Sequence, residues 1–262
     1  RARDARPPLR AAVASRPSAG MPQTLAPKEN ALFKSIVKHY ETKQYKKGLK
    51  ASEALLKKVP DHGETLAMRG LILSCLDRRE EAYDHCRRGL REDIKSHVCW
   101  HVLGLVYRSD RDYKEAIKCY RNALRIDQEN LQILRDISLL QVQLRDRPGY
   151  LQSRQTLLHL KSQQRFNWVS LAVAFHLVGA HDRAVEVLDT YATLDAHADD
   201  SPYERSELVL YRAEILADAG RPEAALKALE EAGEAVVDGL SSREARADLA
   251  LRLGDFARAR EL

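Results

Sequence analysis

The chain has 262 residues, of which 44% are hydrophobic, 31% charged and only 6% aromatic. The 12 glycines and 9 prolines are too few for an all-β chain, which needs turn residues every ~8–12 positions, and the apolar content is too high for a disordered chain. No run of about 18 apolar residues predicts a transmembrane helix. The abundance of Leu, Ala, Arg, Lys and Glu is typical of a helical protein.

Charge is distributed unevenly along the chain. Residues 21–166 contain 28 Lys and Arg against 18 Asp and Glu, a net of +10, whereas residues 167–262 contain 10 against 19, a net of −9. A basic front and an acidic back indicate two different partners, and the basic half is a candidate for binding a polyanion. The alternative is that charged helix faces simply keep a helical array in solution.

The first 20 residues, which precede Met21, are rich in Arg, Ala, Pro and Ser. Their Arg-rich, acid-poor composition resembles a mitochondrial transit peptide. However, Pro7, Pro8 and Pro17 would break an amphipathic helix. We interpret this segment as translated upstream sequence, and we expect residues 1–28 to be a disordered, non-native leader.

A tetratricopeptide-type repeat is visible in the middle of the chain. The segment from Trp100 to Tyr107 reads WHVLGLVY, which matches the W-x2-L-G-x2-Y pattern of that repeat. In the same register, Ala116 and Ala123 occupy positions that need small residues, and Tyr120 occupies the aromatic position between them. Small residues let the two helices of a unit approach closely, while large ones fill the gaps between units.

Steps of 34 residues extend the pattern in both directions. Gly70 and Pro60 fit upstream, Trp168 fits downstream, and after Tyr191 the register slips by seven residues before it resumes at Ala213. The sequence therefore predicts an all-α, right-handed superhelical solenoid of thirteen or fourteen antiparallel helices over residues 29–262. We expect about seven units: 29–62, 63–96, 97–130, 131–164, 165–205, 206–239 and 240 onward.

Two units depart from the pattern. The fourth is degenerate, because Tyr150 stands where a small residue is usual, and the seventh stops at Leu262 inside its second helix. We therefore expect this chain to be the front piece of a longer solenoid.

Residues that could support catalysis or bind a cofactor are missing from the pattern. The twelve glycines form no G-x-G, no phosphate-binding loop and no acetyl-coenzyme A motif, so we expect no cofactor and no catalytic residue. His97 and His101 share a helix face, but Cys99 points away from both, so we expect no metal site. The four cysteines form no C-x-x-C, and in helical contexts they are expected to be buried thiols in a reducing compartment.

Several runs go beyond what a generic repeat requires. They are LFKSIVKHYETKQYKKGLK at 32–50, HGETLAMRGL at 62–71, KSHVCWHVLGLVYRSDRDYKEAIKCYRNALRID at 95–127 and NLQILRDISLLQVQLRD at 130–146. They closely resemble the family of auxiliary, ribosome-anchoring subunits of the N-terminal acetyltransferase A (NatA) complex, and they fit its two paralogous forms equally well.

The resemblance implies a non-catalytic scaffold that holds a separate acetyltransferase and docks it beside the ribosomal exit tunnel. The complex would acetylate the α-amine of nascent chains that begin with small residues. The implied location is the cytoplasm, at the ribosome, with the nucleus as a second location. We expect the catalytic subunit and ribosomal RNA as partners, and neither membrane nor DNA.

The alternative is a generic repeat adaptor or a co-chaperone that binds a peptide in its concave groove. A co-chaperone clamp needs Lys and Asn at positions 5 and 9 of the first helix of a unit. Neither residue type stands at these positions in the first, second, third or fifth unit. The sequence instead predicts an exposed apolar groove for a partner. Its residues are Phe33, Val37, Ala67, Leu71, His101, Leu105, Val169 and Val173.

Basic residues crowd the turn and second helix of the first two units. Stacking by one repeat would place the two clusters side by side on the outer surface, where we expect them to contact ribosomal RNA. They are Lys43, Lys46, Lys47, Lys50, Lys57, Lys58, Arg78, Arg79, Arg87, Arg88 and Arg91.

Overall fold

The structure, a computed structural model, describes residues 25–194 and 200–262. Fourteen α-helices occupy those residues, joined by short turns and with no strand among them, which confirms the predicted all-α fold of helix pairs. No helix in the described ranges combines the length and apolarity that crossing a bilayer requires. Residues 1–24 of the predicted leader lie outside the described part.

The chain divides into two compact units between residues 126 and 127. The first unit contains three helix pairs, in which each helix packs against the next one along the chain. Its helices are α1 (Pro27–Glu41), α2 (Tyr45–Lys58), α3 (Gly63–Cys75), α4 (Arg79–Glu92), α5 (His97–Ser109) and α6 (Tyr113–Ile126).

The predicted leader boundary at residue 28 is wrong by two residues, because α1 begins at Pro27. Proline is favoured at the first position of a helix, where no backbone N–H is needed. The Glu29 carboxylate accepts a hydrogen bond from the Ala26 backbone N–H at 3.1 Å, which ties down the start of the helix.

The second unit contains four helix pairs that pack in the same sequential way. Its helices are α7 (Leu131–Gln143), α8 (Arg147–Leu160), α9 (Arg165–Leu177), α10 (His181–Ala192), α11 (Pro202–Asp218), α12 (Pro222–Ala232), α13 (Gly239–Arg252) and α14 (Phe256–Glu261).

The same turn closes all seven pairs. The second residue after the first helix of each pair adopts a left-handed conformation, with φ between 57° and 79°. The backbone N–H of the residue that follows donates to the carbonyl five residues earlier, at 2.8–3.0 Å. This is the Schellman arrangement, which satisfies carbonyls at the end of the helix. The left-handed residues are Lys43, Asp77, Arg111, Arg145, Gly179, Gly220 and Gly254.

These turns verify the repeat register. Successive left-handed residues are 34 positions apart, except for a step of 41 between Gly179 and Gly220. That longer step equals one repeat plus the seven-residue slip read from the sequence. Residues 195–199, in the middle of the slip, lie outside the described ranges.

Close approach of paired helices depends on the predicted small residues. A Cβ added to Gly70 of α3 would lie 2.5 Å from the Cys86 Sγ and 2.6 Å from the Ala82 carbonyl oxygen, both in α4. In the next pair, a Cβ on Gly104 would lie 2.4 Å from the Tyr120 ring. A side chain at either glycine would therefore push its pair apart.

Three of the four cysteines fill the core of the first unit, as predicted. Cys86, Cys99 and Cys119 are buried, and burial raises the pKa of each thiol to about 12. Cys75 is exposed, contrary to the prediction, because it lies at the end of α3 beside the turn. All four are free thiols.

The two tryptophans occupy equivalent places, one in each unit. Both are partly buried, and each indole N–H donates to a carbonyl six residues upstream, from Trp100 to Ile94 at 2.9 Å and from Trp168 to Ser162 at 2.6 Å. The shared hydrogen bond follows from their shared repeat position. It explains why both rings lie over the loop that precedes their helix.

Candidate functional site

All eleven basic residues predicted to contact RNA are exposed, but they differ in how far their charge is compensated. Lys43 lies in the left-handed turn after α1, and Lys46, Lys47 and Lys50 follow in the first turns of α2. None of these four lysines, which we call the lysine cluster, forms an ion pair with a described residue. Their four positive charges are therefore free to attract an anion.

Most of the arginines at the start of α4 and on its outer face are already paired. Arg78 contacts Glu81 at 2.6 Å and lowers the pKa of that carboxyl. Arg79 contacts Asp77 at 3.1 Å, and Arg88 contacts Asp61 at 3.0 Å.

The other basic residues divide in the same way. Lys57 pairs with Glu53 at 3.2 Å, and the Arg87 guanidinium lies 5.5 Å from the centre of the Tyr83 ring. Lys58 and Arg91 are exposed. Among the eleven predicted residues, the lysine cluster is thus the largest group of neighbouring positive charges without an ion pair to a described residue.

The turns of the first unit lie side by side. Leu76, the residue after α3, joins residues 43–47 in lining a shallow depression of about 380 Å³. One repeat further, the Tyr83 hydroxyl donates to Asp110 at 2.8 Å, and burial together with this carboxylate raises the pKa of Tyr83. We call the edge formed by these turns the basic turn edge, and the lysine cluster lies at its first turn.

The predicted apolar groove needs correction in the first unit. Ala67 and Leu71 are 0% and 4% exposed, because they pack into the core with residues such as Cys86 and Val102. They cannot form an exposed stripe.

The remaining first-unit groove residues are partly buried. Phe33 lies edge-on to His62, with ring centres 5.7 Å apart, and Val37 packs against the same core. His101 lies 5.5 Å from the Tyr120 ring, and Leu105 is also packed on the core. These residues serve mainly to join helices of the first unit.

In the second unit, the predicted groove residues line an open cavity. Val169 and Val173 of α9 form one wall, and residues of α11 and α13 form the rest, around about 580 Å³. We call this cavity the second-unit groove. Its size falls within the range of roughly 300–1,000 Å³ typical of ligand pockets.

The second-unit groove has charged side chains in addition to the predicted apolar ones. Four carboxylates and two arginines line it together with the apolar side chains. They are Glu207, Glu214, Asp218, Asp248, Arg165 and Arg252.

Both arginines have carboxylate partners. Arg252 contacts Asp248 at 2.8 Å, and Arg165 contacts Asp200 and Glu204, both at 3.3 Å. Their positive charges are therefore balanced within the second unit.

Three exposed carboxylates of α11 line the groove. Glu207 and Glu214 form no ion pair with a described residue. Asp218 lies 3.2 Å from the His176 Nε2, and the other nitrogen of that ring is 3.1 Å from the Tyr211 hydroxyl. Burial, with Glu214 and Asp218 nearby, raises the pKa of Tyr211 to about 12, so its hydroxyl stays protonated.

His97, Cys99 and His101 lie together at the start of α5, where the sequence predicts no metal site. Within residues 25–194 and 200–262, no three His, Cys, Asp or Glu side chains are grouped closely enough to hold a metal ion. Cys99 is buried in the core, while both histidines are partly exposed on α5.

Comparison with known proteins places this architecture in a family. The sequence matches the family described as "Psidin, N-terminal TPR repeats region" over residues 32–262. The chain belongs to this family. Its repeated helix pairs are the TPR repeats of the family description.

Curated relatives carry the NatA name. The chain is 54% identical over 248 residues to the N-terminal acetyltransferase A complex auxiliary subunit NAA15 of Arabidopsis thaliana, covering 92% of this chain and 27% of the relative. It is 48% identical over 241 residues to the human N-alpha-acetyltransferase 16, NatA auxiliary subunit, covering 91% and 28%. The chain thus spans about a quarter of the length of these relatives.

A solved structure shares the fold. A chain in the structure of Naa15/Naa10 bound to HypK-THB superposes with a TM-score of 0.77 at 42% identity, over 88% of this chain and 36% of that one. That chain therefore resembles this one in both sequence and backbone.

Proposed function

We propose that this chain is the TPR part of a non-catalytic auxiliary subunit of a NatA complex, which holds the catalytic subunit and anchors it at the ribosome. The observation that carries the proposal is the 54% identity to a NatA auxiliary subunit over 92% of this chain. The complex would acetylate nascent chains during translation. Its location would be the cytoplasm, at the ribosome, and also the nucleus, which imaging of the tagged protein at endogenous level would test.

The basic turn edge supports the ribosome part of this proposal. Four lysines that form no ion pair with a described residue lie within eight residues of one another, at the first turn of the unit. Such a cluster attracts phosphate without regard to sequence, because binding releases counterions from the nucleic acid. Ribosomal RNA near the exit tunnel is the expected partner, and membranes and DNA are not.

Co-sedimentation with ribosomes at increasing salt tests this role. Wild type would be compared with a Lys43/Lys46/Lys47/Lys50→Glu variant and with a control of equal charge change. The control carries Glu in place of four exposed basic residues of the second unit: Arg183, Lys227, Arg243 and Arg260.

We expect the lysine variant to lose binding at low salt. The control should lose no more binding than its change in net charge alone causes. Each lost phosphate contact should also reduce the slope of log affinity against log salt by about 1. Equal loss in both variants would mean that only net charge matters. Equal binding of wild type and the lysine variant would remove the lysine cluster from the interface.

A second candidate function is a generic TPR adaptor or co-chaperone that holds a peptide. The open cavity in the second unit favours it, because such a groove can bind a peptide directly, with no acetyltransferase subunit involved. Purification of the tagged protein distinguishes the two: the NatA role predicts a co-purifying acetyltransferase, whereas the co-chaperone role predicts a chaperone.

A further inference from the structure

We propose that the second-unit groove binds a positively charged protein segment, which places Lys or Arg side chains against carboxylates of α11 and apolar side chains against α9. The inference needs only this groove. It holds or fails independently of whether the chain binds an acetyltransferase or a ribosome.

Apolar surface for the segment is supplied by α9. Val169 and Val173 are one helical turn apart, line the cavity and are only partly buried. Their neighbours on the same helix, Leu171 and Ala172, are buried in the core instead. Contact with a partner would therefore remove these valines from water without disturbing the core.

Carboxylates supply the charge selection. Glu207, Glu214 and Asp218 are spaced i, i+7 and i+11 on α11, and all three line the cavity. At a rise of about 1.5 Å per residue, they extend over roughly 16 Å of helix. A segment that lies along α11 would meet this whole row.

Among the described residues, no lysine or arginine forms an ion pair with this row. Arg165 faces Asp200 and Glu204, and Arg252 faces Asp248, so each of these arginines already has an acidic partner. Residues 167–262 as a whole carry 10 Lys and Arg against 19 Asp and Glu. The long-range field therefore also attracts a cationic partner and repels an acidic one.

His176 fixes the far end of the row. Its two ring nitrogens contact Asp218 and the Tyr211 hydroxyl. Both of these side chains line the groove, and the contacts hold them in place. A pre-positioned carboxylate loses little side-chain entropy when a cation binds, which favours affinity.

The test is selection from a displayed library of random 12-residue peptides against the full 262-residue chain. Selected peptides would be synthesised with a fluorophore, and their Kd would be measured by anisotropy. The variants are Glu207→Lys, Glu214→Lys and Val173→Ser, and Glu231→Lys, on the exposed surface of α12, is the matched charge control. Circular dichroism verifies that each variant is folded.

We expect selected peptides to contain at least two Lys or Arg together with apolar residues. Glu214→Lys should weaken their binding about tenfold or more, Glu207→Lys and Val173→Ser should weaken it several-fold, and Glu231→Lys should leave Kd within about twofold. The proposal is overturned if the library yields no binder, if the peptides carry no excess of basic residues, or if the groove variants bind them like wild type. A loss of equal size in Glu231→Lys would also overturn it, because the effect would then be net charge alone.

Discussion

The tight contact between α3 and α4 makes Gly70→Ala a severe test of the repeat packing. The new methyl group would stand 2.5 Å from the Cys86 Sγ and 2.6 Å from the Ala82 carbonyl oxygen. The Ala82 carbonyl oxygen is a backbone atom of the paired helix, so no side-chain rotation relieves the clash with it. The helices must separate to reach ordinary contact distances.

Two opposing effects set the magnitude. Alanine is favoured over glycine inside a helix by about 1 kcal/mol, whereas forcing an extra methyl group into a packed core costs typically ~1–3 kcal/mol and sometimes more. Because the clash at Gly70 involves backbone, we place its cost at the upper end of that range. The first unit should lose about 1–2 kcal/mol in its free energy of unfolding.

Urea unfolding followed by tryptophan fluorescence measures this loss. The chain has 2 tryptophans, with Trp100 in the first unit and Trp168 in the second, so a Trp168→Phe background reports on the first unit alone. With a urea dependence of ~2 kcal/mol per molar, the midpoint should fall by roughly 0.5–1 M. The control is Gly239→Ala at the start of α13, where nothing lies within 4 Å of the new Cβ.

The control is measured in a Trp100→Phe background, where Trp168 is the remaining tryptophan, and it should change the stability of the second unit by no more than about 0.5 kcal/mol. If Gly70→Ala proved as stable as wild type, the close approach of α3 and α4 would be wrong. If both glycine variants lost the same amount, the loss could not be assigned to packing.

Further predictions concern single side chains. The His62 ring accepts a hydrogen bond from the Thr65 backbone N–H, and burial lowers the pKa of His62. The unfolded chain therefore binds this proton more readily than the folded one, and stability should fall as the pH drops below about 6.5. His62→Asn keeps an acceptor and should make the urea midpoint less dependent on pH between 7 and 5, whereas an unchanged pH dependence would contradict this. Leu71 is buried, so Leu71→Asp should unfold the first unit, at a cost above ~3 kcal/mol. Val173 is only partly buried, so the melting temperature of Val173→Asp should lie within a few degrees of the wild-type value. Similar melting temperatures for the two variants would contradict this difference in burial. Ser201→Ala should cost the second unit about 1 kcal/mol in urea unfolding, since it removes the cap of α11, and no loss would show that the cap is dispensable.

Much of the helix-pair architecture follows from the sequence, because small residues recur at fixed spacing. Gly220 and Gly254 can be placed in the left-handed turn position from the sequence, because glycine adopts that backbone conformation readily. Lys43 and Asp77 cannot be placed in this way, because left-handed backbone is unusual for them. The two Schellman hydrogen bonds of the turn compensate for that cost, and they depend on the whole helix end rather than on one residue.

The surfaces were less predictable. Repeat positions 5 and 9 identified Val169 and Val173 correctly as cavity-lining, but they also selected Leu71, which is covered by neighbouring helices. The carboxylates of α11 were missed, although the resumed register places Glu214 at position 9 of the sixth unit. Ion pairs between units could not be predicted from the sequence either, because a contact such as Arg88 with Asp61 joins residues 27 positions apart.

The most direct test of the proposed scaffold role is affinity purification of the protein tagged at its own genomic locus, with quantification of co-purifying proteins by mass spectrometry. The account predicts a stoichiometric N-terminal acetyltransferase subunit, and acetyl transfer from acetyl-coenzyme A to peptides that begin with Ser or Ala. Recovery of the protein without any acetyltransferase, or with a chaperone in its place, would contradict the account.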